Sequence, residues 1–158
     1  MQTKKTVEEL LKTIELWRVA NPPKVVVQKG TKISKCIQMM KEKRTGACLV
    51  VENEKLCGIF TERDVLKKIH QQKVSLSELV ENYMTPNPKT LPGNTTLGKA
   101  IHDLVQGSFR HLPVVNNENK PIGMIFVRGI VDYIAEHFPN EVYNLPPKIQ
   151  TFTNQEGA

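Results

Sequence analysis

The sequence predicts an α+β fold made of two copies of one β-α-β-β-α unit, and the main observation behind this prediction is an internal repeat. Residues 32–54 align with residues 97–118 at an offset of 64, so that Ile37 falls on Ile101. After one inserted residue the offset becomes 65, and the glycines of the two later strand patterns coincide. The order of helical and strand patterns is also the same in both halves, which is typical of one supersecondary unit used twice.

Each copy contains the same five elements in the same order. An extended segment with prolines is followed by apolar residues at helical spacing, two short strands around a polar turn, and a closing helix. In the first copy these elements are predicted at 21–27, from Ile33 to Met40, at 47–51 and 56–60, and over 62–69. In the second copy they are predicted at 85–91, from Leu97 to Leu104, at 112–115 and 121–126, and over 127–137. A unit of roughly 60 residues cannot bury both faces of its sheet, so the two copies must pack together.

An amphipathic helix precedes the first copy. Residues 6–9 have the capping-box pattern of a helix start. Five apolar residues then form one stripe: Val7, Leu10, Leu11, Ile14 and Trp17. This stripe needs a partner, which is either the core of the chain itself or a second copy in a dimer. The predicted boundaries are 1–19 for the N-terminal helix, 20–72 and 73–137 for the two copies, and 138–158 for an extended tail rich in proline and asparagine.

Charge and hydropathy exclude several classes of protein. The net charge of +6 is concentrated in residues 1–79, which carry 16 Lys or Arg against 9 Asp or Glu. A basic half can bind nucleic acid, an anionic surface or phosphorylated ligands. No aromatic residues interleave with the lysines as in single-strand binders, so we interpret most of the lysines as solvated and do not expect a nucleic-acid partner. No apolar run approaches the ~20 residues of a membrane span and no signal peptide is evident, so we expect a soluble cytoplasmic protein.

Neither a metal centre nor a catalytic motif is predicted. Cys36, Cys48 and Cys57 have no CxxC spacing, and we expect all three to be reduced and structural. The four histidines have no ligand spacing, so no metal site is expected. Residues 29–31 (Lys-Gly-Thr) lack the preceding glycine of a P-loop, and neither GxSxG nor HExxH occurs. We therefore do not expect an enzyme.

Two parts of the sequence resemble a known family. GACLVVENEKLCGIFTERDVLKKI (46–69) resembles a cystathionine-β-synthase (CBS) domain, and YMTPNPKTL (83–91) with FRHLPVVNNENKPIGMIFVRGIVDYI (109–134) resembles a second one. The resemblance is to a tandem pair, the Bateman module, and covers about residues 20–137. It implies two units packed as a pseudo-two-fold pair that often dimerises. It also implies a regulatory, non-catalytic module that binds adenosine compounds in the clefts between its units.

The first copy matches the family's ribose motif. The motif is a glycine, two apolar residues, Thr or Ser, two variable residues and Asp, and residues 58–64 (Gly-Ile-Phe-Thr-Glu-Arg-Asp) fit it fully. The resemblance implies that Asp64 accepts from the ribose hydroxyls and that Thr61 meets a ribose or phosphate oxygen, with Arg63 beside them. The spacing of Thr61 and Asp64 also fits a helix N-cap without any ligand, and both interpretations stay open.

The second copy departs from that motif. Phe126 stands where Thr is expected, and Gly129 stands where Asp is expected. No carboxylate is left there for a ribose, and we expect Phe126 to fill the space. We therefore predict one nucleotide site per chain.

By the same resemblance, the rest of the site comes from the second copy. Pro88, Lys89 and Thr90 would offer backbone groups to the adenine edge, and Phe109 would pack on the base or the ribose. Arg110 and His111 would face the phosphates, where charge-assisted donors bind strongly. The alternative for Arg110 and His111 is an exposed loop that binds no ligand.

These features predict a regulatory module that senses an adenosine nucleotide. The expected ligand is AMP, ADP or ATP, ahead of S-adenosylmethionine, and no covalent cofactor is expected. The expected partners are a second copy in a homodimer and an unidentified effector protein. The alternative is a dimerisation or protein-interaction module whose pocket is vestigial, which the altered motif at Phe126 and Gly129 favours.

Overall fold

The computed structural model describes residues 6–139. The helices are α1 (Val7–Thr13), α2 (Ile33–Glu42), α3 (Glu62–Asp64, continued by a π-helix over Val65–His70), α4 (Leu97–Gln106) and α5 (Val127–His137). The strands are β1 (Val26–Gln28), β2 (Ala47–Glu52), β3 (Lys55–Thr61), β4 (Thr85–Pro86), β5 (Leu91–Pro92), β6 (His111–Val115) and β7 (Pro121–Phe126). Short 3₁₀ turns lie at Leu16–Arg18 and Val80–Asn82. The predicted α+β class and the β-α-β-β-α order of both copies are confirmed.

Each copy has its own sheet. The first sheet has the order β1-β2-β3-β4 and the second has the order β5-β6-β7. In both sheets the opening strand pairs in parallel with the next one, which then forms an antiparallel hairpin with its successor. This common topology explains why the two halves of the sequence align.

The segment predicted as one extended stretch at 85–91 is divided between the two sheets. Its first part, β4, pairs with β3 of the first copy, whereas β5 opens the sheet of the second copy. The chain turns at Asn87, which has a φ of 44° and donates its amide to the Cys57 carbonyl at 3.0 Å. Asparagine tolerates this left-handed conformation better than most residues, so the turn follows from the local sequence.

The N-terminal helix packs on the core of the second copy. Its predicted capping box is confirmed, with Thr6 and Glu9 exchanging hydrogen bonds between side chain and backbone. The predicted stripe is wrong at its end, because α1 stops at Thr13 and the following 3₁₀ turn buries Leu16 while leaving Trp17 56% exposed. The cause is backbone pairing, since the Leu16 amide donates to the Thr95 carbonyl and draws this segment against the loop before α4.

Three apolar clusters hold the molecule together. One combines the N-terminal segment with the second copy, and another lies within the first copy together with Val80 and Met84 of the connecting segment. The third lies between the two sheets and contains Ala47, Leu49, Leu56, Ile59, Val115 and Met124. The hairpin turns also meet, because the Leu56 amide donates to the Asn119 carbonyl at 2.9 Å. The two copies therefore pack as a pair through their sheets.

Other predictions concern cysteines, membrane spans and the tail. The three cysteines are free, and Cys36 and Cys48 are buried. Within residues 6–139, the structure contains no helix with the length and apolar character to cross a bilayer. The extended tail predicted at 138–158 lies, from residue 140 onward, outside the described residues.

Candidate functional site

A cleft of about 320 Å³ between the two copies brings together most of the predicted site residues. We call it cleft A. The predicted residues that line it are Thr61, Arg63, Asp64, Pro88, Lys89, Phe109, Arg110 and His111. Thr90 is half-buried beside Lys89 and is not part of the lining.

Thr61 and Asp64 form a closed hydrogen-bonded pair at the end of β3. Asp64 Oδ2 accepts from the Thr61 amide at 2.9 Å and from Thr61 Oγ1 at 2.8 Å. The Asp64 amide in turn donates to Thr61 Oγ1 at 3.4 Å, which completes a capping box for α3. The N-cap interpretation of this motif is therefore realised in the ligand-free chain. The same geometry places a buried carboxylate and a hydroxyl on one wall of cleft A.

Lys68 holds the other oxygen of this carboxylate. Its Nζ lies 2.7 Å from Asp64 Oδ1 and also donates to the Tyr83 carbonyl at 2.8 Å. A carboxylate oxygen accepts more than one hydrogen bond, so this ion pair leaves acceptor capacity at Oδ1 for an entering hydroxyl. Lys68 was not predicted as a site residue, although its spacing of four residues from Asp64 is a recognisable helical ion-pair signal.

Phe109 packs directly against Gly107 in the lining of cleft A. Both residues line the cleft, and Phe109 is 37% exposed. A Cβ at position 107 would overlap the phenyl ring, so only glycine permits this contact. Gly107 was not predicted as a site residue, because its role depends on where the ring of a neighbouring residue packs.

His111 lies between cleft A and a second cleft on the other side of the copy interface. Its ring is half-buried, 6.2 Å from the Phe126 ring, and it lines both cavities. Burial lowers the pKa of His111, the Glu62 carboxylate opposes this change, and the positive charge of Arg110 adds to it. The imidazole is therefore neutral at pH 7 in the ligand-free chain.

The second cleft, which we call cleft B, has a volume of about 660 Å³ and contains the altered motif. At Gly129, a Cβ would lie 3.2 Å from the Phe126 ring and 3.0 Å from Asn21 Nδ2. A side chain at position 129 would thus be tightly flanked by Asn21 and by the Phe126 ring. The N-cap position of α5, Phe126, also provides no side-chain hydrogen bond.

Comparison with known families agrees with the geometry. Residues 16–71 and residues 80–136 each match the CBS domain family. This chain belongs to the CBS domain family. The two copies are a CBS pair, cleft A contains the intact motif of the first CBS domain, and cleft B contains the altered motif of the second.

Related proteins share this CBS pair. The CBS domain-containing protein CBSCBSPB1 of Arabidopsis thaliana is 34% identical over 113 residues, which are 70% of this chain and 21% of that protein. This chain therefore spans about a fifth of the length of that relative. The crystal structure of the CBS-domain containing protein ATU1752 from Agrobacterium tumefaciens matches 76% of this chain and 98% of its own, with 26% identity and a TM-score of 0.66.

One structural neighbour was solved with a ligand. The CBS domain protein PAE2072 from Pyrobaculum aerophilum, complexed with AMP, matches 78% of this chain and 99% of its own. The TM-score is 0.69 and the identity is 18%, so this likeness concerns the fold. The binding of AMP is a property of that protein.

Because His111 lines cleft A, we expect the affinity of this CBS pair for phosphate ligands to depend on pH. A phosphate bound beside this imidazole would stabilise its protonated form and take up a proton on binding. The affinity for such a ligand should therefore rise, by up to about tenfold, as the pH falls from about 7.5 to about 6.5, where the phosphate keeps most of its second negative charge. Folding also lowers the pKa of His111, so the unfolded chain takes up a proton at this residue at a higher pH than the folded chain does. The free energy of unfolding without ligand therefore falls as the pH is lowered below about 6.5.

Calorimetric titrations with AMP and with adenosine over this pH range would measure the effect. Adenosine carries no phosphate, so its affinity should lack the increase. Equal pH profiles for the two ligands, or an unchanged AMP profile in His111→Gln, would contradict a contact between His111 and the phosphate.

Proposed function

We propose that this CBS pair is a regulatory, non-catalytic module that binds one adenosine nucleotide per chain in cleft A. The observation that carries the proposal is the composition of this one cavity. The carboxylate and hydroxyl of Asp64 and Thr61 line it from the first repeat, and Phe109, Arg110 and His111 line it from the second. A diol acceptor, an aromatic surface and cationic donors are the groups that a ribose, a base and a phosphate require.

Charge distribution supports the placement of the phosphates at the mouth of the cleft. Arg63 and Arg110 are both exposed, and both line cleft A. Their guanidinium groups are able to bind phosphate oxygens in a bidentate manner while the base lies deeper, next to Pro88. The additional phosphates of ADP and ATP would extend from this position toward solvent.

The proposal of a single site is supported by the contents of cleft B. Gly129 stands where the motif has its aspartate, and a side chain at this position would be crowded by Asn21 and the Phe126 ring. The acidic residues of cleft B, Asp132 and Glu136, lie later in α5, and Asp132 is 3.8 Å from the Arg128 guanidinium. A nucleotide in cleft B would therefore lack the acceptor that Asp64 offers in cleft A.

We further propose that the chain forms a homodimer in the cytoplasm and acts on an effector protein. The support for dimerisation is a set of exposed apolar side chains on the helices: Leu66, Val105, Val127 and Val131. Each of them is more than half exposed, and a dimer contact would remove such side chains from water. The alternative function, an interaction module without a ligand, is favoured by the capping box, because it satisfies Asp64 within its own helix.

Thermal unfolding with AMP, ADP, ATP and S-adenosylmethionine tests the function. A ligand at about 100 times its Kd adds roughly 2.7 kcal/mol, which raises the Tm by several degrees. In Arg110→Gln the affinity for the stabilising nucleotide should fall about tenfold or more, because a charge-assisted hydrogen bond to phosphate is lost. Arg110 is exposed, so the ligand-free Tm should not change.

Arg128→Gln is the matched control, because Arg128 is an exposed arginine of cleft B. It should leave nucleotide affinity unchanged. If no adenosine compound raises the Tm at millimolar concentration, the interaction module becomes the better description. If Arg128→Gln is the variant that loses affinity, the nucleotide binds in cleft B.

A further inference from the structure

Asp103 is a buried charged side chain that the proposed site does not use. In the described part of the chain, Asp64 and Asp103 are the two charged residues classed as buried, and Asp103 is 5% exposed. It lies on α4 and lines none of the clefts described above. Burial of a carboxylate is costly unless the charge is paired, so its partners indicate its purpose.

The partners of Asp103 are three cationic or titratable groups. Lys99 Nζ lies 3.3 Å away and His102 Nδ1 lies 3.4 Å away, both on the same helix and both largely exposed. Lys89 Nζ lies 3.2 Å from Asp103 Oδ2 and comes from a different part of the chain, the segment between β4 and β5. Burial alone would raise the pKa of the Asp103 carboxyl, but hydrogen bonds from these three groups outweigh it and lower the pKa.

The contact with Lys89 connects α4 to cleft A. Lys89 lines the cleft, and its neighbour Pro88 lines it as well. The ammonium of Lys89 points to Asp103, which lies outside the cleft lining. The ion pair therefore ties this part of the cleft wall to α4 and directs the Lys89 ammonium toward Asp103.

The first repeat folds without such a pair. At the offset of 64 residues, Met39 stands at the position of Asp103 and Val25 stands at the position of Lys89. Met39 is half-buried and Val25 is 2% exposed, so apolar side chains fill the equivalent place between helix and opening segment. Folding of the unit does not require the ion pair. The Lys89–Asp103 ion pair involves the opening segment that lines cleft A with the intact Thr61–Asp64 motif. Among the described residues, the opening segment that lines cleft B with the altered motif has no such pair.

We propose that Asp103 is a positioning residue for the ligand: it holds Lys89, and through it the backbone of residues 88–90, in the geometry that binds the base. This inference rests on the proposed function of cleft A. It assigns Lys89 to the base side of the site rather than to the phosphates. The consequence is that Asp103 contributes equally to the binding of adenosine, AMP, ADP and ATP, since these ligands share the base.

Isothermal titration of wild type, Asp103→Asn, Lys89→Met and the double variant with adenosine, AMP and ATP tests the inference. Each single variant should lose about tenfold in affinity, by the same factor for all three ligands. The double variant should lose no more than either single variant, because both changes remove one interaction. Lys99→Met is the matched control, since Lys99 contacts the same carboxylate oxygen without reaching the cleft, and its affinity should stay at the wild-type value.

A loss in Lys89→Met that increases from adenosine to ATP would overturn the inference, because Lys89 would then contact the phosphates directly. Additive losses in the double variant would also overturn it. Lys89 is 44% exposed, so its variant is expected to fold even if Asp103→Asn does not.

Amide hydrogen exchange without ligand gives an independent readout. Exchange at residues 89–91 should become faster in Asp103→Asn and in Lys89→Met, and it should remain unchanged in Lys99→Met. A wild-type protein that binds none of the ligands overturns the proposed function, and exchange then reports on the positioning of the segment alone. Unchanged exchange together with wild-type affinity in both single variants overturns the role of Asp103.

Discussion

Replacement of Asp64 by asparagine is expected to lower nucleotide affinity by about tenfold to a hundredfold and to destabilise the ligand-free chain by about 1–2 kcal/mol. The affinity falls because an amide replaces the charged acceptor that cleft A offers to the ribose hydroxyls. The stability falls because the amide retains only part of the capping box with Thr61 and loses the ion pair with Lys68. The two effects have different causes, so they are measured separately.

Calorimetry below the unfolding transition measures the affinity of Asp64→Asn, and urea unfolding without ligand measures its stability. Thr96→Ala is the control for the loss of a helix cap. Thr96 caps α4 by accepting from the Lys99 amide at 3.4 Å, and it does not line cleft A. It should reduce stability by about 1 kcal/mol with no change in affinity. Wild-type affinity in Asp64→Asn would show that Asp64 is a capping residue only, and it would favour the interaction module.

Replacement of Leu16 by alanine is expected to destabilise the protein by about 2–5 kcal/mol. Leu16 is 0% exposed and belongs to the apolar cluster that the N-terminal segment shares with the second repeat. Removal of its side chain leaves a cavity in this cluster, which also contains the almost completely buried Leu97 and Leu112. A loss of this size is a large part of the total stability of a typical domain.

Urea unfolding of Leu16→Ala and of Trp17→Ala compares how much each of these adjacent side chains contributes to the free energy of unfolding. Trp17 is 56% exposed, and its indole donates to the exposed Glu15 side chain. Its variant should change the free energy of unfolding by less than about 1 kcal/mol. The opposite order of the two variants would mean that α1 continues through residue 17 with the apolar stripe that its sequence pattern predicts.

The candidate site could be predicted to a large extent from local sequence signals. The motif at 58–64 is a contiguous string, and the aromatic and basic residues at 109–111 form a second short string, which aligns with the uncharged residues 45–47 of the first repeat. The loss of the second motif is also visible as two substitutions in one string. Lys68 was missed although its spacing of four residues from Asp64 is a local signal. Gly107 and the proposed positioning residue Asp103 were missed because their contacts depend on how other segments pack, and no sequence motif marks them.

The sequence by itself determined the repeat and the order of the elements, because hydrophobic periodicity and short motifs are local properties of the chain. That cleft A takes residues from both copies was implied by the resemblance to the CBS family. Only the tertiary structure decided which core the N-terminal segment joins, how the 85–91 segment divides between two sheets, and which lysine pairs with which buried carboxylate. These outcomes depend on contacts between segments far apart in sequence. A single 3₁₀ turn after α1 is enough to exchange Leu16 for Trp17 in the core, and no pattern within the helix reports that turn.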